Sequence, residues 1–266
     1  MDFSKIKLII WDLDETFWKG TLSDNDKICL KDELIEFVNA TLDRGIVHSI
    51  CSKNDFDTAR SFLEDNGLWD LFVFPSINWE PKGKRIMQIL GDMKLRPQNT
   101  LFVDDNLSNL REAVYYCPEL QTCTPEELAD SLDRICLIPA KDPDRTRLLQ
   151  YRLLEEKNAS QKAFSSNEEF LKSCNIRVGL HEDCLSQLDR IHELILRTNQ
   201  LNYTKFRQNI NDLEADLKNP GTKAAYVTVK DDFGDYGIVG FYMIVNGKVV
   251  HFLFSCRTLG MLVEQY

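Results

Sequence analysis

IKLIIWDLDET, residues 6–16, is the stretch from which the architecture and the chemistry of this chain can both be predicted. The largely apolar run 6–11 is typical of a strand that is buried on both faces. Asp12 and Asp14 follow it directly, so one carboxylate and one backbone carbonyl can point into the same small site. Oxygen donors of this kind suit Mg²⁺ and place Asp12 for attack on a phosphoryl group. Taken alone, the pair fits a turn or a structural ion site equally well.

Three further short apolar runs follow the first, with helical patterns between them, and they cover residues 46–51, 71–74 and 100–103. Before the first of these runs, Leu34, Phe37, Val38 and Leu42 recur at helical spacing, and Gly45 follows as a helix stop. Short buried strands that alternate with helices predict a parallel sheet with helices on both faces. Ligands of such sheets bind beyond the carboxyl ends of the strands.

Three predicted strand ends and the start of one helix carry polar groups in the order that phosphoryl transfer needs: Asp12 and Asp14, Ser52, Lys82, Asp104 and Asp105. Ser52 can donate to a phosphoryl oxygen, and Lys82 can offset negative charge as it develops. A divalent cation held by the carboxylates would cancel much of the repulsion between Asp12 and a phosphate dianion. Taken singly, Ser52 also fits a helix cap, Lys82 a solvated surface lysine, and the Asp104-Asp105 run a polar loop. Their conjunction predicts a Mg²⁺-dependent phosphoryl-transfer site.

The second half of the chain follows a different pattern. Pro139 and Pro143 break the alternation, and a polar helical stretch follows them. Beyond residue 176 come one amphipathic helix and three strand-like runs, the last two of which flank Asn246-Gly247. This dipeptide is a strong hairpin signal because both residues tolerate positive φ. The predicted domains are 1–138 (α/β), 139–175 (a helical connector) and 176–266 (α+β, on antiparallel strands).

Composition and charge exclude several classes of protein. The 266 residues carry a formal net charge of −10, which opposes binding to nucleic acid or to an anionic membrane. No apolar run approaches the roughly 18 residues of a membrane helix, and the amino terminus lacks a signal-peptide pattern. The eight cysteines include no Cys-x-x-Cys pair, which argues against a zinc site or a disulfide framework. We expect a cytoplasmic enzyme for a small phosphorylated metabolite, without a nucleic-acid or membrane partner.

The series Asp-x-Asp-x-Thr, a serine after the second strand, a lysine and an Asp-Asp pair resembles the haloacid dehalogenase (HAD) superfamily of phosphohydrolases. The resemblance implies a Rossmann-like parallel sheet, and the short gaps between the motifs leave no room for a large inserted cap. It implies Asp12 as a nucleophile that forms an aspartyl-phosphate and Asp14 as the general acid and base. The implied phosphate ligands are Thr16, Ser52 and Lys82. The implied Mg²⁺ ligands are Asp12, Asp14, Asp104 and Asp105, with Asp105 favoured within its pair.

A narrower resemblance, to the FkbH-like group of HAD subfamily IIIC, covers nearly the whole chain. It rests on motifs in both halves: Asp12-Leu13-Asp14-x-Thr16-x-Trp18-x-Gly20, Cys51-Ser52-Lys53-Asn54, Val103-Asp104-Asp105-Asn106, Arg197-Thr198-Asn199-Gln200-x-Asn202, Asp232-Phe233-Gly234-Asp235-x-Gly237 and Ser255-Cys256-Arg257-x-Leu259-Gly260. The chain departs from the group's pattern at Glu15, where Asn is usual, and at Lys19, where Gly is common. Both positions lie at the rim of the predicted site and bear on substrate choice.

The FkbH-like resemblance implies glyceryl transfer in polyketide assembly, in which 1,3-bisphosphoglycerate loses phosphate and the glyceryl group passes through a cysteine to an acyl carrier protein. Cys256 would be that cysteine, and a packed cysteine at a strand end fits the sequence equally well. The second domain resembles the GNAT acyltransferase fold, with Arg257 and Gly260 in the loop that binds the carrier's phosphopantetheine. Because the sequence ends at Tyr266, we expect this GNAT-like domain to be partial. Two alternatives stay open, a stand-alone phosphatase for another small phosphorylated metabolite and a carrier-protein docking module.

Overall fold

The chain divides into two units, residues 1–155 and 156–266. The computed structural model describes residues 5–24, 27–129, 139–161, 163–198, 201–255, 258 and 260–265. The first unit contains a parallel five-stranded sheet, and the second contains an antiparallel five-stranded sheet. This confirms the predicted fold class, a parallel α/β sheet followed by an α+β region.

Strands and helices alternate in the first unit. In chain order they are β1 (Leu8–Trp11), β2 (Trp18–Lys19), β3 (Cys29–Leu30), α1 (Asp32–Leu42), β4 (Val47–Ser52), α2 (Phe56–Asp65), β5 (Ser76–Ile77), α3 (Lys82–Met93), β6 (Thr100–Val103), α4 (Leu107–Tyr116), β7 (Gln121–Cys123) and α5 (Pro125–Ala129). The division between the units falls within α6 (Thr146–Gln161). The parallel sheet has the strand order β5-β4-β1-β6-β7, and β2 pairs with β3 separately.

β1 lies at the centre of the parallel sheet because its side chains are apolar on both faces. All four of its residues are fully buried, and it pairs with β4 on one side and with β6 on the other. α1 buries Leu34, Phe37, Val38 and Leu42, the side chains that the sequence pattern predicts. Because the three strands run parallel, their carboxyl ends meet at one edge of the sheet, where a ligand site is expected.

The predicted strand over residues 71–74 is wrong. Phe72 makes an isolated bridge, and β5 begins later, at Ser76. Phe74 has a φ of +51°, in the left-handed region, and Pro75 follows it without an N–H to donate. These two residues interrupt the ladder, so regular pairing with β4 starts only after them.

Gly83 and Gly91, both in α3, form a matched pair for a test of helix packing. A Cβ atom on Gly83 would clash with the Tyr116 ring and lie 3.0 Å from the Glu112 carbonyl oxygen, both in α4, whereas one on Gly91 would meet nothing within 4 Å. We expect Gly83→Ala to lower the free energy of unfolding by about 1–3 kcal/mol, because α3 and α4 must move apart. Gly91→Ala should raise it by about 0.5–1 kcal/mol through helix propensity. Urea unfolding measures both changes, and equal effects would contradict this packing.

His48 is a buried, uncharged histidine of β4. Its Nδ1 accepts a hydrogen bond from Trp11 Nε1 at 2.9 Å, so its Nε2 carries the proton and donates to Thr41 Oγ1 at 2.8 Å. Complete burial lowers the pKa of His48 from 6.5 to about 3. Below pH 6.5 the unfolded chain therefore takes up a proton that the folded chain does not, and stability falls as the pH falls from 6.5 toward 3.

We expect His48 alone to remove about 2 kcal/mol from the free energy of unfolding between neutral pH and about pH 5. Urea unfolding of wild type and His48→Gln at both pH values isolates this contribution. The glutamine takes up no proton, so the variant should lose less stability on acidification than the wild type. The same loss in both proteins would mean that His48 is not held neutral in the fold.

Helices pack on an antiparallel sheet in the second unit. The elements after α6 are α7 (Asn167–Ser173), β8 (Arg177–His181), α8 (Leu188–Arg197), β9 (Leu201–Asn202), α9 (Ile210–Leu217), β10 (Thr222–Lys230), β11 (Asp235–Val245) and β12 (Lys248–Phe254). The strand order is β8-β10-β11-β12-β9, and Leu213 of α9 shares a core with Phe241 of β11. The predicted hairpin is confirmed, since Asn246 (φ +50°) and Gly247 (φ +81°) connect β11 to β12. Among the described residues, none of the helices has the length and apolar character needed to cross a membrane.

Candidate active site

The ends of β1, β4 and β6 bring together the polar groups that the sequence singles out. Asp12 follows β1, Ser52 ends β4, and Asp104 and Asp105 follow β6. Asp12, Asp104 and Asp105 each offer a carboxylate oxygen, and these three oxygens all lie within 4.8 Å of one another. Carboxylates at such separations repel one another, so this corner of the sheet favours a bound cation.

Lys82, the first residue of α3, lies between two of these carboxylates, and only 1% of its surface is exposed. Its Nζ is 2.7 Å from Asp12 Oδ1 and 2.6 Å from Asp104 Oδ2. Burial by itself lowers the pKa of Lys82, but the charges of Asp12 and Asp104 and the hydrogen bonds they accept outweigh burial and raise the pKa. Lys82 therefore stays charged and links the ends of β1 and β6.

Asp104 is fully buried and held by several donors. Asn109 Nδ2 donates to it at 3.0 Å and the Asn106 N–H at 2.9 Å, in addition to Lys82. Burial and then the charge of Asp12 raise the pKa of Asp104, and Lys82 and Asn109 offset this only in part. Burial is thus the main reason for the raised pKa of Asp104, and the charge of Asp12 adds to it.

Thr16 joins the loop after β1 to the loop after β6. Its hydroxyl donates to Asp105 Oδ1 at 3.3 Å and accepts from the Asp105 N–H at 3.0 Å. Burial and then the charge of Asp12 raise the pKa of Asp105. The hydroxyl of Thr16 thus serves to position Asp105, and a contact between Thr16 and phosphate stays a prediction.

Asp14 is held by three donors, apart from the cluster of carboxylates. Trp18 Nε1 and the Leu22 N–H donate to its Oδ1 at 2.9 and 3.2 Å, and Asn54 Nδ2 donates to its Oδ2 at 3.0 Å. A carboxylate has about four acceptor positions, so about one remains to carry a proton. The side chain is thus fixed in orientation, which suits proton transfer, and Asp14 as a Mg²⁺ ligand stays a prediction.

Ser52 is buried at the end of β4, where Asn54 and Arg85 fix it. Asn54 Nδ2 donates to its Oγ at 3.3 Å, and Arg85 Nη2 donates to its carbonyl at 2.9 Å. The buried Arg85 guanidinium also donates to three backbone carbonyls between β4 and α3, those of Ser76, Asn78 and Glu80. The sequence patterns do not single out Arg85. One feature of the sequence could have identified Arg85: it lies three residues after Lys82, so the two side chains share one face of a helix.

The three clustered carboxylates fit Mg²⁺ as a donor set. Asp12, Asp104 and Asp105 offer hard oxygen atoms, the ligands that this ion prefers, and the cluster includes no thiolate or imidazole donor that would favour a softer metal. Burial, and after it the charge of Asp12, raises the pKa values of Asp104 and Asp105. A bound dication would offset the repulsion from Asp12, so the charges of the site favour a cation as the donor set does.

The predicted thiol site of the second unit is described only in part. Cys256 and Arg257 lie outside the described residues, so their roles stay predictions. Gly260 is exposed, has a φ of +82°, and accepts a hydrogen bond at its carbonyl from Asn167 Nδ2 at 3.2 Å. A positive φ favours glycine, which explains the residue type at this position without a bound ligand.

No protein-family model and no curated protein matches the sequence. Among solved structures, the chain is similar to the N-terminal part of a Bacteroides fragilis protein, described as containing a phosphatase domain complexed with Mg. That pair is 26% identical, with a TM-score of 0.44, and the match covers 50% of this chain and 40% of the Bacteroides chain. The match therefore spans less than half of that structure.

Two sugar-phosphate phosphatases are also similar. The cobalt-bound deoxy-D-mannose-octulosonate 8-phosphate phosphatase of Haemophilus influenzae is 15% identical over 64% of this chain and 99% of that chain, with a TM-score of 0.40. The 3-deoxy-D-manno-octulosonate 8-phosphate phosphatase of Moraxella catarrhalis, in complex with magnesium, phosphate and KDO, is 14% identical to this chain, with a TM-score of 0.38. The match covers 50% of this chain and 90% of that chain.

Proposed function

We propose that this chain is a Mg²⁺-dependent phosphohydrolase of the HAD type, which acts on a small phosphorylated metabolite through an aspartyl-phosphate on Asp12. The observation that carries the proposal is the cluster of Asp12, Asp104 and Asp105 oxygens within 4.8 Å, with Lys82 bonded to two of these residues. The order of the motifs along the chain, which resembles the HAD superfamily, supports it independently.

In the proposed first step, a carboxylate oxygen of Asp12 attacks phosphorus, and the bond from phosphorus to the leaving oxygen breaks. Asp14 gives its proton to that oxygen, and its three donors keep it in one orientation. Ser52 and Lys82 offset negative charge on the phosphoryl group. When bound, Mg²⁺ would be held by the three clustered carboxylates and would reduce the repulsion between nucleophile and phosphate.

In the proposed second step, water attacks the phosphorus of the aspartyl-phosphate, and the bond to the Asp12 oxygen breaks. Asp14 takes up the proton from water, so it ends the cycle as it began. Inorganic phosphate leaves, and the Asp12 carboxylate is free for another turnover. Two steps of moderate difficulty replace one direct attack by water, which is the advantage of covalent catalysis.

Phosphate release from acetyl phosphate and from a panel of sugar phosphates tests the proposal. We expect release with Mg²⁺, loss of release with excess EDTA, and recovery when Mg²⁺ is restored. Release that continues at the same rate in EDTA would contradict a metal-dependent site. Binding of an acyl carrier protein without release from any phosphate compound would favour the docking-module alternative.

We also propose a narrower activity, in which a phosphoglyceryl donor loses phosphate and the glyceryl group passes through Cys256 to an acyl carrier protein. The FkbH-like motifs in both halves of the chain support this, together with the separate α+β second unit. Intact mass after incubation with Mg²⁺ and 1,3-bisphosphoglycerate tests it. A glyceryl adduct should form on wild type and on Cys29→Ala, which changes an exposed cysteine, and should be absent from Cys256→Ala. Phosphate release without any adduct would favour the stand-alone phosphatase.

A further inference from the structure

Trp79 is a strongly exposed aromatic residue at the edge of the sheet that carries the candidate site. Its surface is 64% exposed, whereas Trp11 and Trp18 are completely buried. It lies between β5 and Lys82, the first residue of α3. β5 runs parallel to β4, so the loop that holds Trp79 leaves the sheet at the same edge as Asp12 and Ser52.

The backbone on both sides of Trp79 is fixed to the phosphate-binding region. Arg85 Nη1 donates to the Asn78 carbonyl at 2.9 Å and to the Glu80 carbonyl at 3.1 Å, which are the residues before and after the tryptophan. The same guanidinium donates to the Ser52 carbonyl, and the Asn78 N–H donates to that carbonyl as well, at 3.2 Å. Arg85 thus fixes the Trp79 loop in position relative to Ser52.

Because the backbone is fixed, the indole stays at the surface and is not packed into the hydrophobic core. Tryptophan offers a large flat apolar face, and contact of that face with carbon atoms of a ligand removes apolar surface from water. The site's charged groups recognise a phosphoryl group, which every phosphorylated compound shares. Discrimination between such compounds must come from neighbouring groups. Trp79 is an apolar residue whose loop is held by Arg85, the residue that also holds Ser52.

We propose that Trp79 contacts the organic leaving group of the phosphorylated substrate and favours phosphate esters whose organic part presents a carbon-hydrogen or aromatic face. This inference rests on the proposed phosphohydrolase activity and is independent of glyceryl transfer. It assigns to the loop between β5 and α3 a role in substrate choice that the catalytic carboxylates do not have.

Two probes that differ in their organic part test the proposal, p-nitrophenyl phosphate, which carries a ring, and acetyl phosphate, which carries almost no carbon surface. In Trp79→Ala, kcat/KM for the nitrophenyl ester should fall about tenfold, mainly through KM, while kcat/KM for acetyl phosphate stays within about twofold of wild type. Trp79→Phe should keep most of the preference. Met87→Ala removes another exposed apolar side chain, 52% exposed and on α3, and should change neither value.

Glucose 6-phosphate carries a sugar ring in place of the aromatic ring. Its kcat/KM in Trp79→Ala shows whether Trp79 contacts carbon-hydrogen faces as well as aromatic ones. Unchanged kcat/KM values for all probes in Trp79→Ala would overturn the inference, and so would an equal fall for all probes, which would mean a structural role. Failure of the wild type to hydrolyse any probe would instead refute the phosphohydrolase itself, and this inference with it.

Discussion

Asp12→Asn is expected to abolish phosphate release, with kcat lower by at least about 10³-fold, because an amide is a poor nucleophile and carries no charge for a cation. The variant should still fold. Asparagine has nearly the same size, and Lys82 keeps Asp104 as a partner at 2.6 Å. Phosphate release and circular dichroism, measured on the same preparations, separate loss of chemistry from loss of structure.

Asp65→Asn is the matched control for Asp12→Asn. It makes the same chemical change at an exposed residue at the end of α2 and should leave both activity and stability unchanged. A folded Asp12→Asn enzyme that kept more than about a tenth of wild-type kcat would show that another group attacks phosphorus.

Lys82→Met is expected to lower the free energy of unfolding by about 3–5 kcal/mol near neutral pH, and also to lower kcat. Methionine fills the space, but Asp12 and Asp104 then lose the cation that lies 2.7 and 2.6 Å from them. Urea unfolding without added metal measures the loss. Mg²⁺ should restore part of the stability, because a bound cation replaces some of the missing charge.

The pH dependence of Lys82→Met provides a second check. Without the lysine, the pKa of Asp104 should rise further, so the folded state binds more protons than the unfolded chain, and the stability deficit should shrink as the pH falls toward about 5. Lys84→Met removes an exposed lysine of the same helix and should cost less than about 1 kcal/mol. A deficit equal to that of Lys84→Met, or one that grew on acidification, would contradict the role of Lys82 as the counter-charge.

Features that depend on a few neighbouring residues could be predicted from the sequence. β1 and the inner face of α1 follow from apolar spacing, and the Asn246-Gly247 hairpin follows from the tolerance of both residues for positive φ. The start of α5 is a further example. Thr124 Oγ1 accepts from the Glu127 N–H at 3.3 Å while Glu127 Oε2 accepts from the Thr124 N–H at 3.0 Å, a reciprocal pairing that is typical of Thr-x-x-Glu at the start of a helix.

Features that depend on tertiary contacts could not be predicted in the same way. Arg85 looks like an ordinary helical arginine, and its role arises because four carbonyls from β4, β5 and the loop after β5 converge on its guanidinium. The two residues of β9 form a strand because β12 pairs with them, although so short a run has no pattern of its own. Local composition does not encode such convergence.

Glu15 lies in a backbone conformation that is unusual for glutamate. Its φ is +53°, in the left-handed region that asparagine tolerates better than glutamate. The Glu15 carboxylate compensates by accepting a hydrogen bond from the Gly20 N–H at 2.7 Å, which closes the turn after Asp14. This hydrogen bond therefore helps to hold the shape of the loop that carries the proposed acid and base.

Borohydride trapping tests most directly whether Asp12 is the nucleophile. An aspartyl-phosphate is reduced by borohydride to homoserine, which peptide mass spectrometry can assign to one position in the chain. During turnover with Mg²⁺ and acetyl phosphate, homoserine should appear at position 12, and it should be absent when EDTA or Asp12→Asn is used. Reduction at another carboxylate, or rapid phosphate release with no reducible intermediate, would contradict a mechanism built on Asp12.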